Sequence, residues 1–435
     1  MRSKVIEFFS FLSIVFVLIL MISGSIRVTY CDLLLKDYSM YLYINGVLGL
    51  IIYICSKIKN FKFNKYEIII FVMIILSCLS LINAINVTTA IFGKVNRYEG
   101  LLVWLTYYVL MLNAINIKNK KYVYIIISLI GLYTFINIFY GLYQVGVFSK
   151  PKSFKVLRSW HYARGFLGNS MYLGTLTSLF YGIVFGIFIK TKLGIKKYIM
   201  AVILLIASLG FIMSGAMSSF VALIVIYVLC LIEIIVLIIK KKDNRFIYLA
   251  SYLIGIIAFV SVFMVYTINH PDVKKDMLEL VGQAESSVST GKVEDNYGTG
   301  RIYIWKNTIE KIKEAPITGY GIDNFRRVFN DKLIDSVSNK IVDKAHNDYL
   351  QRALCEGVIS AIVFIVFLLI IFFKGMFTKL SPVYYGLLIG FTIYSVQDFF
   401  NISVTRVAPI YFIIIGLLIF RINNDKIVTV KKKAI

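Results

Sequence analysis

Charged residues and cysteines are both scarce in this 435-residue sequence. Only 16% of the residues are charged, whereas 59% are apolar, well above the ~45–50% typical of soluble domains. The charges are mostly positive, because 47 Lys and Arg against 23 Asp and Glu give a net charge of +24. A nucleic-acid-binding protein would reach such a charge with more charged residues and fewer apolar runs. A mean hydropathy of +0.80 instead indicates a protein that crosses a membrane several times.

Sequence patterns of many soluble enzymes are also absent. There is no Walker A loop, no GxGxxG after a strand, no HExxH and no GxSxG,. The five cysteines lie mostly in apolar segments and have no CxxC spacing; they are Cys31, Cys55, Cys78, Cys230 and Cys355. Neither a disulfide framework nor a zinc site is indicated. We therefore predict no metal and no cofactor.

Apolar runs long enough to span a membrane recur along the chain. A span needs roughly 20 mainly apolar residues. Twelve candidates fit, at residues 7–25, 40–56, 67–85, 101–117, 122–142, 169–189, 198–213, 218–239, 246–268, 357–373, 383–400 and 408–420. The fold class predicted is an all-α polytopic membrane protein of about twelve transmembrane helices. A retained first helix is favoured over a cleaved signal peptide, because its apolar stretch is long for a signal sequence.

The positions of the basic residues predict the orientation. Lysines cluster after the even-numbered spans and in the tail, so these connections and both termini are predicted to be cytoplasmic. We divide the chain into residues 1–268 with spans one to nine, residues 269–356 as a large extracytoplasmic loop with short helices, and residues 357–435 with the last three spans and a basic tail. The protein is predicted to lie in the cell membrane.

Some positive charge falls on the predicted outer face, where the positive-inside rule does not explain it. The loop at 143–168 carries Arg158, Arg164 and other cations with no acidic residue. Such a loop indicates either a site that binds an anion or loose contacts with lipid phosphates. Arg97 and Glu99 lie in another outer loop, where they could simply pair with each other. Asp398 and Arg406 flank the last outer loop and extend this polar rim.

The large outer loop contains the remaining candidates. Apolar residues recur at helical spacing after Arg301, so this arginine is predicted in the first turn of a helix, where the N-terminus favours anions. The stretch at 283–291 is interpreted as a mobile loop. His346 is one of three histidines in the chain and stands beside Asn347 and Asp348. A neutral imidazole is a common general base, although a lone surface histidine often has no chemical role.

Short motifs in this order resemble the core signature of the O-antigen ligase/polymerase family. They are Arg301 to Trp305, Pro316 to Phe325, Ala345 to Gln351 and Glu356-Gly357, preceded by Asn96 to Leu101 and by Arg164 to Asn169. The resemblance also covers the twelve-span layout with a large outer loop. One departure is that family members often show a Ser-Arg pair after the seventh span, where this chain has Gly215 to Ser219. In this chain, either no residue takes the role of that arginine, or another cation such as Arg158 takes it.

The resemblance implies a metal-independent membrane glycosyltransferase. Its donor would be an undecaprenyl-pyrophosphate-linked glycan, transferred to an acceptor hydroxyl at the outer face of the cytoplasmic membrane. Carried onto this chain, His346 would deprotonate the acceptor, and Arg301 would act with it at the catalytic centre. The remaining predicted site residues are Arg97, Arg164 and Arg158 for the pyrophosphate, with Glu99, Asn169, Asn347, Asp348 and Asp398 in support.

Several alternatives remain open from the sequence. The acceptor could be a glycan, a lipid or a protein, and the reaction could be that of a ligase or of a polymerase. A transporter or flippase of the same lipid-linked glycan would also need a basic cavity, but would place charges along a path through the bundle. A third possibility is a sensor or scaffold whose outer loop binds a ligand without catalysing a reaction. Membrane lipid is an expected partner in each case, and nucleic acid is not.

Overall fold

The computed structural model describes most of the chain. The described residues are 2–27, 31–58, 62–95, 97–147, 162–290, 294–295, 297–298, 300–334 and 341–433. Within them the structure is helical, with one isolated antiparallel bridge between Ile334 and Ile341. Arg158 lies outside the described residues.

Seventeen α-helices are present in these ranges. The first ten are α1 (Arg2–Arg27), α2 (Cys31–Lys57), α3 (Lys65–Leu79), α4 (Val87–Phe92), α5 (Leu101–Ile115), α6 (Lys120–Gln144), α7 (Ser170–Lys190), α8 (Ile195–Ser214), α9 (Met217–Ile239) and α10 (Arg245–Asn269). The last seven are α11 (Pro271–Thr290), α12 (Arg301–Glu314), α13 (Phe325–Val328), α14 (Asp348–Glu356), α15 (Val358–Met376), α16 (Pro382–Gln397) and α17 (Ala408–Lys433). A 3-10 helix covers Gly165–Leu167.

The predicted all-helical membrane fold is confirmed. Each of the twelve apolar segments coincides with a helix, and eight of these helices, namely α1, α2, α6 to α10 and α15, are long and apolar enough to cross a membrane. By contrast, α3 has 15 residues and α16 has 16, which at ~1.5 Å per residue is shorter than a ~30 Å hydrocarbon core. The count of twelve spans stays a prediction.

Glycines allow α7 to pack closely against α16 at the centre of the bundle. A Cβ atom added to Gly186 would lie 2.7 Å from the Cα atom of Gly386, and one added to Gly182 would lie 3.1 Å from the Cα atom of Gly390. Side chains at these positions would force the two backbones apart. Small residues at crossing points are the usual means of close helix packing in membranes.

The region between α10 and α15 is more ordered than the sequence predicted. A mobile loop is predicted at residues 283–291. This prediction is wrong for residues 283–290, because α11 runs from Pro271 to Thr290. The side-chain oxygen of Gln283 accepts a hydrogen bond of 3.0 Å from the Gly298 backbone N–H, which joins α11 to the segment before α12. The predicted helix at Arg301 is confirmed, since α12 begins there.

Helix α14 leads directly into α15. Gly357 forms the junction with a φ of 91°, and a Cβ atom there would lie 2.0 Å from the Ile317 carbonyl oxygen. Only glycine fits both constraints. Helix α12 packs on α14, where Ile304 and Leu354 share a buried apolar cluster with Phe325. The last residues before α15 are therefore fixed relative to the membrane helices.

Candidate active site

His346 lies in a backbone segment that is held on both sides. We call residues 343–349 the His346 segment. The Ala345 N–H donates to the side-chain oxygen of Gln351 over 2.9 Å, and the Ala345 carbonyl accepts a 3.0 Å bond from the indole Nε1 of Trp305. On the other side, the Asn347 side chain caps α14. His346 itself is half-buried and has a φ of 50°, so the backbone around the imidazole is defined by its neighbours.

Arg301 is the first residue of α12 and lies one turn before Trp305. Residues four apart share a face of a helix, so Arg301 is on the side of α12 that contacts the His346 segment through Trp305. One of its terminal nitrogens lies 3.5 Å from the Gly298 carbonyl oxygen. The partial positive charge of the helix N-terminus adds to that of the guanidinium. This end of α12 therefore favours a negatively charged group.

A polar cavity of about 440 Å³ opens on one side of the His346 segment. We call it the basic cavity. Its charged lining comprises Lys94, Arg97, Arg326 and Arg406 against Glu99 and Asp343, and its uncharged polar lining includes Asn169 and Tyr172. Positive groups thus outnumber negative ones by two. Three of the predicted site residues, Arg97, Glu99 and Asn169, meet here.

Arg97 is engaged by a carboxylate of the His346 segment. Its Nε lies 3.1 Å from Asp343 Oδ2, and its Nη2 lies 3.1 Å from Oδ1 and 2.9 Å from Oδ2. The remaining nitrogen, Nη1, donates to the Tyr172 hydroxyl. Burial raises the pKa of Asp343, but the Arg97 guanidinium outweighs that effect and holds the pKa below its usual range. Asp343 is therefore ionised and compensates the charge of Arg97.

A buried triad of charges lies beneath the cavity. The Lys344 ammonium is 3.1 Å from Glu99 Oε2 and 3.3 Å from Asp323 Oδ1, and all three side chains are at most 5% exposed. Burial lowers the pKa of Lys344, but the carboxylates of Asp323 and Glu99 outweigh it and leave that pKa above its usual range. Ser403 and Tyr107 donate to Glu99 Oε1 over 2.7 and 3.0 Å. The triad joins the loop of Glu99 to the His346 segment.

A second buried ion pair holds α14. Arg352 Nη1 lies 3.1 Å from Glu356 Oε2, one turn along the helix, and 3.0 Å from the Tyr108 hydroxyl. The guanidinium packs between the rings of Trp104 and Phe364, at 4.4 and 4.3 Å from their centroids. Cation–π contacts of this kind stabilise a desolvated arginine. They fix α14 against α5 and α15.

Two predicted supporting residues link α14 to the loop after α16. The Asp348 N–H donates to the Asp398 carbonyl over 2.8 Å, and Asp348 Oδ1 accepts a 3.3 Å bond from the Ser403 N–H. Both aspartates are buried. Burial raises the pKa of Asp348 above its usual range. These contacts bring the loop between α16 and α17, which contains Arg406, next to the His346 segment.

An apolar groove of about 410 Å³ is lined by Tyr349, the last residue of the His346 segment. Its lining comes from α9, α14, α15 and α16 and the start of the following loop, and includes Val225, Leu229, Tyr349, Leu368, Leu369, Phe372, Phe391 and Phe399. The Phe399 ring packs edge-on against Trp305, with ring centroids 5.7 Å apart. Asp343 at one end of the segment lines the basic cavity and Tyr349 at the other end lines the groove. His346 stands between them in the chain.

Residues 201–365 match the protein family described as O-antigen ligase. This segment is less than half of the chain, and the match supports the resemblance to that family seen in the sequence motifs. The matched residues contain Arg301 and the whole His346 segment, whereas Arg97, Asn169 and Arg406 lie outside them. A search of curated proteins finds no match. The family and the membrane-spanning helices together support a multi-pass cell-membrane protein with glycosyltransferase activity of the O-antigen ligase or polymerase type.

One predicted arginine does not line the basic cavity. Arg164 is exposed and precedes the 3-10 helix, where its backbone N–H donates to Gln144 Oε1 over 2.8 Å. Within the described part of the chain, its guanidinium has no hydrogen bond or ion pair. Asn169 lines the cavity and also caps α7. The predicted roles of both residues stay predictions.

Several charged residues of the candidate site had no role assigned from the sequence. They are Lys94, Asp323, Arg326, Asp343, Lys344, Arg352 and Glu356. The spacing of Arg352 and Glu356 by four residues is a usable signal for a helical ion pair. No comparable signal links Lys344 to Glu99, which precedes it by 245 residues. Among the described residues, no group of three His, Cys, Asp or Glu side chains is arranged to hold a metal ion.

Proposed function

We propose that the protein transfers an undecaprenyl-pyrophosphate-linked glycan to an acceptor hydroxyl at the outer face of the cytoplasmic membrane. The observation that supports this most is the position of His346, in a short segment whose first residue, Asp343, lines a polar cavity and whose last residue, Tyr349, lines an apolar groove. A lipid-linked sugar donor and a hydrophilic acceptor need two such surfaces next to one base. The acceptor is a glycan, a lipid or a protein, and both termini are cytoplasmic in this proposal.

The proposed reaction is a single displacement. His346 accepts the proton of the acceptor hydroxyl while that oxygen attacks the anomeric carbon of the donor sugar. The bond from this carbon to the pyrophosphate oxygen breaks, and the lipid pyrophosphate leaves with the bonding electron pair. Arg301 and the N-terminus of α12 stabilise the developing negative charge. No metal is required by this scheme.

The proposed pyrophosphate contacts differ in their surroundings. Arg301 lies at a helix end on the side of the His346 segment, and Arg164 is exposed with no acidic partner among the described residues. Arg97 is already bound by Asp343 through two nitrogens. We therefore place the pyrophosphate at Arg301 and Arg164. We propose that Arg97 instead maintains the shape of the basic cavity. The binding of the pyrophosphate by Arg158 stays a prediction.

The apolar groove is the proposed site of the polyprenyl chain. Leu369 lines it and is 47% exposed. We expect Leu369→Trp to fill part of the groove and to raise KM for a long-chain polyprenyl donor roughly tenfold, a loss of about 1.4 kcal/mol. KM for a donor with two or three isoprene units should change little. Both constants can be measured in reconstituted vesicles.

Val366→Trp provides a matched control for this prediction. Val366 lies on the same helix and is also 47% exposed, but it does not line the groove. The control variant should therefore keep the wild-type KM for both donors. Equal effects of the two substitutions would argue against the groove as the lipid site.

Trp305 is expected to position His346 through the Ala345 carbonyl. Trp305→Phe keeps an aromatic ring beside Phe399 but removes the N–H donor of the 3.0 Å bond. We expect turnover to fall roughly tenfold with KM nearly unchanged, because a loosely placed base loses catalytic geometry. The lost bond should cost about 1 kcal/mol of unfolding free energy. Steady-state kinetics and thermal unfolding of the purified protein measure the two effects.

The control for Trp305 is its neighbour Lys306, whose ion pair with Asp295 is more than half exposed. Exposed ion pairs contribute little to stability, so Lys306→Gln should leave kinetics and stability unchanged. If Trp305→Phe also leaves turnover unchanged, the indole bond does not position the base.

Transfer and transport can be distinguished directly. Purified protein is reconstituted with a fluorescent lipid-linked oligosaccharide and an acceptor mixture, and both the products and the leaflet of the donor are determined. The proposal predicts a new glycosidic bond and release of lipid pyrophosphate. Movement of intact donor across the bilayer without bond formation would support a flippase instead.

A further inference from the structure

The positive charges that line the basic cavity are not equally available. Arg97 is bound by Asp343, and the Lys94 ammonium lies 3.4 Å from the same carboxylate. Arg326 is paired with Asp331, a residue outside the cavity lining. Arg326 is thus compensated by a carboxylate of its own, whereas Arg97 and Lys94 share the single charge of Asp343.

Arg406 differs from the other three. Its Nη1 donates to the Phe166 carbonyl over 3.0 Å, and within the described ranges of the chain it has no acidic partner. That bond orients the guanidinium and uses one of its five N–H donors. The remaining donors can bind a carboxylate in the planar geometry that arginine favours. Among the described residues, Arg406 is therefore the cation of the cavity lining that has no carboxylate beside it.

The rest of the cavity suits a sugar. Its volume of about 440 Å³ falls within the ~300–1,000 Å³ of small-molecule sites. The Asn169 amide, the Tyr172 hydroxyl and the Asp343 carboxylate line it. Together they offer the donors and acceptors that hydroxyl groups of a sugar need. A single carboxylate on that sugar would complement Arg406.

A pyrophosphate fits the same lining less well. It would bring at least two negative charges close to Asp343 and Glu99, and the guanidinium of Arg97 is occupied by Asp343. A donor pyrophosphate must also continue into a lipid chain. The apolar groove, however, is lined by the opposite end of the His346 segment, at Tyr349. The cavity thus favours the second substrate.

We infer that the basic cavity binds the acceptor glycan and that Arg406 selects an acidic sugar, such as a uronic acid, in it. This inference rests on the proposed transfer reaction. It places the acceptor on the cavity side of His346 and the donor on the groove side.

Binding of sugars to the purified protein in nanodiscs tests the inference. The probes are digalacturonic acid, the uncharged disaccharide galactobiose, and inorganic pyrophosphate as a competitor. Wild-type protein should bind digalacturonic acid about tenfold or more tightly than galactobiose, since a hydrogen bond to a charged group is stronger than one between neutral groups. Arg406→Gln should remove this preference, and Arg406→Lys should retain part of it. Arg327→Gln, an exposed neighbour outside the cavity lining, should bind like wild type.

A second variant covers the case in which Arg406→Gln does not fold. Asp343→Asn removes the carboxylate from Arg97 and should tighten binding of digalacturonic acid. Equal binding of the two sugars by wild type, a preference that survives in Arg406→Gln, or weaker binding in Asp343→Asn would each overturn the inference. Displacement of the sugar by pyrophosphate at equal concentration would identify the cavity as a donor site and also overturn it.

The outcome is separable from that of the proposed function. A protein that transfers glycan but shows no preference dependent on Arg406 refutes the inference alone. One that shows the preference but forms no glycosidic bond refutes the proposed reaction.

Discussion

His346→Ala is expected to abolish glycan transfer while leaving the protein folded in the membrane. A general base contributes about 100- to 10,000-fold to a rate, and no other histidine lies in the His346 segment. The substitution removes the imidazole but leaves both hydrogen bonds of the Ala345 peptide in place. The rate of lipid pyrophosphate release in reconstituted vesicles measures the loss, and size-exclusion chromatography in detergent checks the fold.

His270→Ala serves as the control for this variant. The His270 ring stacks on Tyr266 at the end of α10, with centroids 4.3 Å apart, and it does not line the basic cavity or the apolar groove. This variant should keep wild-type activity. Transfer by His346→Ala within a few-fold of the wild-type rate would rule out the imidazole as the base.

Lys344→Met is expected to cause the largest loss of stability. The substitution leaves the carboxylates of Glu99 and Asp323 buried without their common cation, and each of these side chains is only 1% exposed. Breaking a buried ion pair from one side costs about 3–5 kcal/mol. Chemical or thermal unfolding of the purified protein in detergent measures this change.

A triple variant distinguishes electrostatics from packing. Glu99→Gln and Asp323→Asn remove the two uncompensated charges when they are combined with Lys344→Met. Because replacing a whole buried ion network is often nearly neutral, the triple variant should recover much of the stability. Equal instability of the single and triple variants would show that the lysine acts through packing and not through charge.

Much of the helical architecture could be predicted from the sequence, because a hydrocarbon core demands long apolar runs. The boundaries were less predictable. Apolar residues continue beyond the end of α3 at Leu79, so hydropathy alone extended the predicted span to 85. The loop predicted at 283–291 was wrong because a polar sequence gives no sign of the tertiary contact between Gln283 and Gly298.

The chemical groups of the candidate site were predictable, but their arrangement was not. Scarcity and local motifs drew attention to His346 and Arg301. The importance of Lys344 depends on contacts with Glu99 and Asp323, which lie in separate parts of the chain. Among the arginines of the outer loops, composition could not distinguish Arg97, which is compensated, from Arg406, which is not.

The left-handed backbone of His346 has a consequence for how this position is selected. A φ of 50° costs a residue with a Cβ atom about 1–2 kcal/mol relative to glycine. Selection for folding alone would favour glycine or asparagine there. Strained positions of this kind persist where function outweighs stability. Histidine at this position therefore carries a backbone cost that glycine would not, and the proposed role of the imidazole as the base would account for its presence.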